Sequence, residues 1–252
     1  MAARLPNGSF GICSEEVMGE IQFEFSLDKL IHAIAFFSTK NLPDLTKLKV
    51  AKLLYFADKK HLLENGRPIL GDVYWCMEFG PVPSFALNEM NEAIAGSEVA
   101  AGADSDSSAM SEVLRVRKPF FGGFPYFEAK RTYDRQVFDD SEVNALSFVA
   151  DTYGRETARR LVDLTHAEPT WQIANQARGT KARAPIPYEL FFEGAPSESM
   201  KYLARLKAEF TSEAIPLESD IEYSRFASGL RSHTFEAEFD LDSDHERERV
   251  QN

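Results

Sequence analysis

The run Val50 to Ala57, VAKLLYFA, constrains this fold more than any other stretch, because Lys52 is its only polar residue. Val50, Leu53, Leu54, Ala57 and His61 recur at the i, i+3, i+4, i+7 spacing of one helical face. Ala51, Tyr55 and Leu62 fall on the neighbouring face, and Phe56 adds a third. A helix apolar on most of its circumference is central to a core, so the rest of the chain has to wrap it. Thr46 is a fitting N-cap, since its hydroxyl accepts an orphan backbone N–H. Leu45 and Val50 form a hydrophobic staple across that cap. Asn65-Gly66 stops the helix, because glycine takes the left-handed C-terminal conformation without a Cβ penalty.

Beyond Gly66 the period changes. Val73 to Phe79, VYWCMEF, is β-branched and aromatic and reads as a short β segment. Arg67 to Leu70, before Gly71-Asp72, is expected to pair with it as a hairpin. Gly80-Pro-Val-Pro83 reads as a rigid corner, because each proline fixes φ and removes a donor. Ser84 then caps a helix from Phe85 to about Ile94. Upstream, Ser26 caps a first helix whose apolar face is Leu27, Leu30, Ile31, Ile34 and Phe37.

The second half alternates helices and turns. Residues 96–111 are rich in Gly, Ala, Ser and Asp and read as a flexible loop or an insertion within the domain. Glu112 to Phe138 reads as a β-hairpin or a short sheet with Gly122-Gly123 at a turn. Asp139 or Asp140 caps a helix ending near Tyr153, and Thr157 to His166 is the next. Pro169 suits the first turn of a short helix carrying Trp171. Tyr188 to Phe192 reads as a short helix or turn, and a last helix starts near Ser197. The expected organisation is a loose leader over 1–25, one domain over 26–210, and an acidic tail over 211–252. That tail sets eleven acidic residues against four arginines, a net of −7 out of −12 for the chain. The fold class is α+β: a mostly α-helical globular domain with a small antiparallel β element and the acidic C-terminal tail.

A net charge of −12 argues against broad non-specific nucleic-acid binding, which needs positive charge to release counterions. The two cysteines, Cys13 and Cys76, make neither a metal-ligand spacing nor a disulfide framework. A cytoplasmic setting with no membrane association follows as the expectation, since no leader has a signal-like apolar region and no apolar run approaches a span.

KLLYFADKKHLLENGRPILGD, followed by WCMEFGPVPSF, resembles the signature of the Panacea domain, or SocA-like antitoxin domain. LTHAEPTWQIA, from Leu164 to Ala174, is similar to that family's Thr-His-x-Glu…Trp element. The resemblance spans Leu27 to Phe192. It implies a bacterial or phage antitoxin of a toxin–antitoxin system, whose partner is a co-encoded protein toxin neutralised by binding. Occlusion of the toxin and its presentation to a protease or chaperone both remain open.

No enzyme motif accompanies it. His61, Cys76, His166 and Asp58 match no HExxH, CxxC or nucleophile-elbow spacing, so no catalytic, metal or cofactor site is expected. The partner-binding candidates are Lys52, Lys59, Trp75, Glu78, Phe79, Pro81, Phe121, Phe124, His166 and Trp171. Each has a plainer reading. Lys49, Lys52, Lys59 and Lys60 form either a solvated face or a docking face for an acidic partner. The Trp75-to-Pro81 corner is either a backbone necessity or a rigid docking rim. His166 reads as a hydrogen-bonding group at a helix C-terminus, and the resemblance raises its interest without making it catalytic. The aromatic and basic 112–135 segment is hairpin core, a protein interface, or a stacking platform for nucleic acid.

Overall fold

The computed structural model describes residues 21–99, 109–120 and 122–212. The leader up to residue 20, the centre of the expected loop, Phe121 and the tail from residue 213 lie outside the described residues. Among the described residues there are eight α-helices and five short strands. They are α1 (Leu27–Thr39), α2 (Lys47–Asn65), β1 (Tyr74–Met77), β2 (Gly80–Pro83), α3 (Ser84–Val99), α4 (Ala109–Val113), β3 (Leu114–Arg117), β4 (Tyr126–Ala129), α5 (Asp140–Tyr153), α6 (Ala158–His166), α7 (Pro169–Arg178), β5 (Ala184–Ile186) and α8 (Met200–Ser212). The architecture is α+β and mainly helical, as its periodicities require. No helix among the described residues is long and apolar enough to cross a membrane.

α2 is the axis of the core. Thr46 Oγ1 accepts from Lys49 N, and Gly66 closes the helix at φ 78°. From Leu48 to Asp58 every residue is buried, on all sides of the helix. α3, α5, α6 and β2 surround it. Burying Leu53, Leu54 and Phe56 contributes roughly 1.5–3 kcal/mol each before the entropy of ordering is counted.

The β element differs from the expected hairpin. β1 pairs with β2 on one side and, more than a hundred residues later, with β5 on the other, all antiparallel. Arg67 to Leu70 forms no strand. The Gly-Pro-Val-Pro corner is instead strand β2. The register explains how a sheet accepts so many prolines. Ser84 N donates to Val73 O, so the hydrogen-bonded pairs on that side include Trp75–Val82 and Met77–Gly80. Pro81 and Pro83 face Cys76 and Tyr74 at the pairs that exchange no hydrogen bonds. The same alternation places Pro185 of β5 opposite Trp75, at a non-bonded pair on the other edge. All three prolines sit on outer strands, where a missing donor leaves the ladder intact.

The expected cap of α3 also moves. Phe85 N and Ala86 N donate to the Asp72 carboxylate at 2.9 and 2.8 Å, and Ser84 Oγ donates to Val73 O. Asp72, placed in a hairpin turn by the sequence reading, is therefore the group that satisfies this helix start. α3 continues to Val99 and α4 begins at Ala109, so both described ends of the 96–111 loop are helical.

Two other boundaries shift. Ile21 is buried and its N–H donates to Glu189 Oε1, Phe23 packs edge-on to Tyr188, and Phe25 stacks on Phe85. The packed domain thus begins by Ile21, inside the expected leader. β3 and β4 form the expected ribbon, with Gly122 and Gly123 in its loop at positive φ. Leu114 and Phe127 point into the core, while the outer face carries Arg115, Arg117 and Glu128.

Candidate functional site

The two-residue turn Glu78-Phe79 joins β1 to β2, and the α6–α7 corner comes up beside it. α6 is capped by Thr157, whose hydroxyl accepts from Arg160 N, and α7 starts at Pro169. Thr165 and His166 end α6 and Glu168 precedes α7, and the corner they form reaches several segments of the first half of the chain.

Thr165 is buried and its hydroxyl donates to Val162 O. It packs on Gly80, where a Cβ would lie 2.6 Å from Thr165 Oγ1 and 2.9 Å from Lys52 Nζ. Gly80 also has φ 96°, so glycine is required there for both backbone and space. His166 stacks on Trp171, with ring centroids 3.8 Å apart and planes 13° apart. Trp171 Nε1 in turn donates to Met77 O at the end of β1. Glu168 accepts from Tyr55 Oη at 2.5 Å and from Lys59 Nζ at 3.0 Å, and Lys59 also reaches Thr170 Oγ1. The corner therefore holds both the turn and the central helix.

The electrostatics here are unusual. Burial pulls Lys52 down to about 7, with Cys76 opposing the shift slightly. Burial and the neighbouring Lys52 charge bring His166 down to about 4, and its Nε2 is buried with no hydrogen-bond partner. Burial pushes the Cys76 thiol up to about 11 despite Arg178 beside it, which makes it a poor nucleophile.

The candidates separate sharply by exposure. Lys52, Trp75 and Pro81 are buried, so none of them presents a docking surface. This corrects the lysine-face reading, because Lys49 and Lys52 are 1% and 0% exposed and only Lys59 and Lys60 approach solvent. The Trp75 ring instead carries the Arg183 guanidinium at 4.4 Å. Glu78 is exposed, while Phe79, His166 and Trp171 are half-buried around the same turn. Phe124 is half-buried in the ribbon loop and Phe121 lies outside the described residues. Thr165 and Glu168 were inside the recognisable LTHAEPTW element, yet their partners in α2 and β2 could not be read from spacing.

Asp58 and His61 have structural partners. Asp58 accepts from Ile69 N, Leu70 N and Tyr74 Oη at 2.8–3.0 Å, and burial still raises it to about 7. His61 bonds Arg67 O and Ser141 Oγ through its two ring nitrogens. His61, Asp139 and Glu142 bring ligand-type atoms within 4.8 Å of one another. Both carboxylates are already paired, with Arg67 on each and Lys29 on Glu142. A cation there would have to displace two fixed positive charges. The trio instead straps α2 to α5, where Asp139 and Glu142 also form a capping box.

Residues 50–172 match the family model described as antitoxin SocA-like, Panacea domain. No curated protein and no solved structure matches the chain. The matched span begins in the central helix and ends just past Trp171, so it contains both the turn and the corner that meets it.

Proposed function

We propose that this chain, whose residues 50–172 are an antitoxin SocA-like Panacea domain, neutralises a co-encoded protein toxin by binding it without catalysis. The observation that carries this reading is the meeting of the two family-like elements on one surface. Glu78 and Phe79 from the first lie beside His166 and Trp171 from the second, joined by the Trp171 hydrogen bond to Met77 O. An exposed acid, a half-buried phenylalanine and a stacked Trp–His pair on a rigid turn have the composition of an interface anchor. The absence of catalysis is supported by the candidate groups themselves. Both nitrogens of His61 are occupied, Asp58 is saturated by donors, and Cys76 is held as a thiol.

Co-expression with the product of the adjacent reading frame tests the reading. Phe79→Ala is expected to abolish rescue of growth while the protein still folds, its melting temperature lowered by a few degrees as its half-buried ring leaves the core's edge. Full rescue by the variant would remove this surface from the mechanism. Toxin abundance during rescue separates occlusion, which leaves it constant, from delivery to a protease or chaperone, which lowers it. The setting proposed for this is the cytoplasm.

A second reading has its own observation. Phe120 is 92% exposed in the ribbon loop, which follows the strand that carries Arg115 and Arg117, as a stacking platform for nucleic acid would be. Glu128 already engages both arginines, which weakens that reading. A gel shift that fades with added salt would favour it.

A further inference from the structure

Lys52 is fully buried, and its Nζ donates to Pro81 O at 2.8 Å. No carboxylate is among the groups that perturb it. The titratable groups around it are Cys76 of β1 and His166 of α6, while Arg178 of α7 faces Cys76. An ammonium in such a place destabilises a fold, because desolvation is not offset by an ion pair. A methionine would fill nearly the same volume with no such penalty. The position of the charge is informative. Nζ lies directly against Gly80, which ends the Glu78-Phe79 turn, and its acceptor is the next carbonyl along β2.

We propose that Lys52 is a positioning residue, whose buried amino group fixes the shape of the Glu78-Phe79 turn for a protein partner at the expense of fold stability. This rests on the reading of that turn as the toxin-binding surface. The Lys52 amino group holds Pro81 O, the Gly80 backbone packs between Nζ and the Thr165 hydroxyl, and Trp171 holds Met77 O from the other arm. Both arms of the turn are thereby fixed from inside, leaving Glu78 exposed and Phe79 half-buried at the surface. An apolar side chain could fill the space but could not hold a carbonyl.

Lys52→Met in the full chain tests this. The variant is expected to melt at the wild-type temperature or above. The wild type should gain stability as pH rises from about 7 to 8.5, and the variant should not. The sign follows from a folded pKa lowered to about 7 from 10.5, so the stability is lost as pH falls toward 7. His166, at about 4, titrates below this window, and Cys76, at about 11, titrates above it. Exchange of the Gly80 amide, which closes the turn in register with Met77, should accelerate about tenfold. Rescue from the adjacent frame's product should be lost. A lower melting temperature, unchanged Gly80 exchange or intact rescue each overturns the proposal. Phe79→Ala serves as the control. If it loses rescue and Lys52→Met does not, positioning fails alone. If Phe79→Ala also rescues, the docking surface itself is misplaced.

Discussion

Asp58 and Lys52 lie less than two turns apart on α2, both with no solvent exposure, yet they are treated in opposite ways. Asp58 receives two backbone N–H groups and the Tyr74 hydroxyl. Lys52 receives the Pro81 carbonyl and no acid. The first is a buried charge site built to hold chain segments: Asp58 shapes Arg67 to Leu70 after the helix, as Asp72 starts α3. The second is left short of partners beneath a turn that faces solvent. A polar group completed by backbone donors belongs to the fold, whereas one left incomplete beside a surface belongs to what that surface does.

The largest break in this picture comes from putting a charge where no partner exists. Leu54 is 1% exposed on the same helix. Leu54→Asp is expected to abolish folding, since an unpaired buried carboxylate costs several kcal/mol against a total near 5–15 kcal/mol. Far-UV circular dichroism and thermal melting of the purified variant check it, and a preserved melt would remove α2 from the core. Next comes Asp58→Ala, which strands the Ile69 and Leu70 amides and the Tyr74 hydroxyl. It should destabilise by about 3–5 kcal/mol in denaturant unfolding. If it matched Lys52→Met, the contrast between the two sites would collapse.

Acid sharpens the contrast further. Burial lowers His61 and brings His166 to about 4, so their stability is present above pH 6.5 and lost as pH falls through their folded values. Asp58 and Asp72 act in the opposite sense. Raised to about 7, they contribute stability below their unfolded value of 3.8 that is lost as pH rises through 7. Between pH 6.5 and 4 the two sets oppose each other. Asp72→Asn removes one opposing group, so that variant should lose stability more steeply on acidification than the wild type. A melting series across that range measures the slope, and parallel curves would count against a buried, proton-binding Asp72.

Much of this was legible in the sequence because it is local. The apolar circumference of α2, the Thr46 cap, the Gly66 stop and the Asp139 cap each depend on residues within one or two turns. The two family-like elements were legible too, as strings. What stayed hidden depends on chain segments meeting at long range. Prolines in Gly-Pro-Val-Pro argue for a corner until the register shows them at non-bonded positions of an outer strand. Asp72 looks like a turn residue until it is found capping α3. Lysines at 49, 52, 59 and 60 look like one solvated side, because charge is the best local indicator of exposure. Burial of Lys52 needs Thr165 and Gly80 to arrive from separate segments, which no helical wheel displays.

Those lysines supply the smallest effect and the last test. Lys60 lies on the outer side of α2, with Nζ 2.5 Å from Glu64 and 4.0 Å from the centre of the half-exposed Phe148 ring. An exposed i,i+4 pair contributes about 0.3–0.5 kcal/mol, and a solvent-exposed cation–π contact about 0.5–1 kcal/mol. Lys60→Ala should therefore lower stability by about 1 kcal/mol or less, and less still in high salt. Lys59→Ala should exceed it, because Glu168 and the buried Tyr55 hydroxyl would lose the cation between them and solvent. Denaturant unfolding of both variants at low and high salt gives the order. If Lys60→Ala proved as damaging as Asp58→Ala, local environment would not be ranking these polar groups. Lys52, short of partners beneath its turn, would then no longer stand apart from the other lysines of α2.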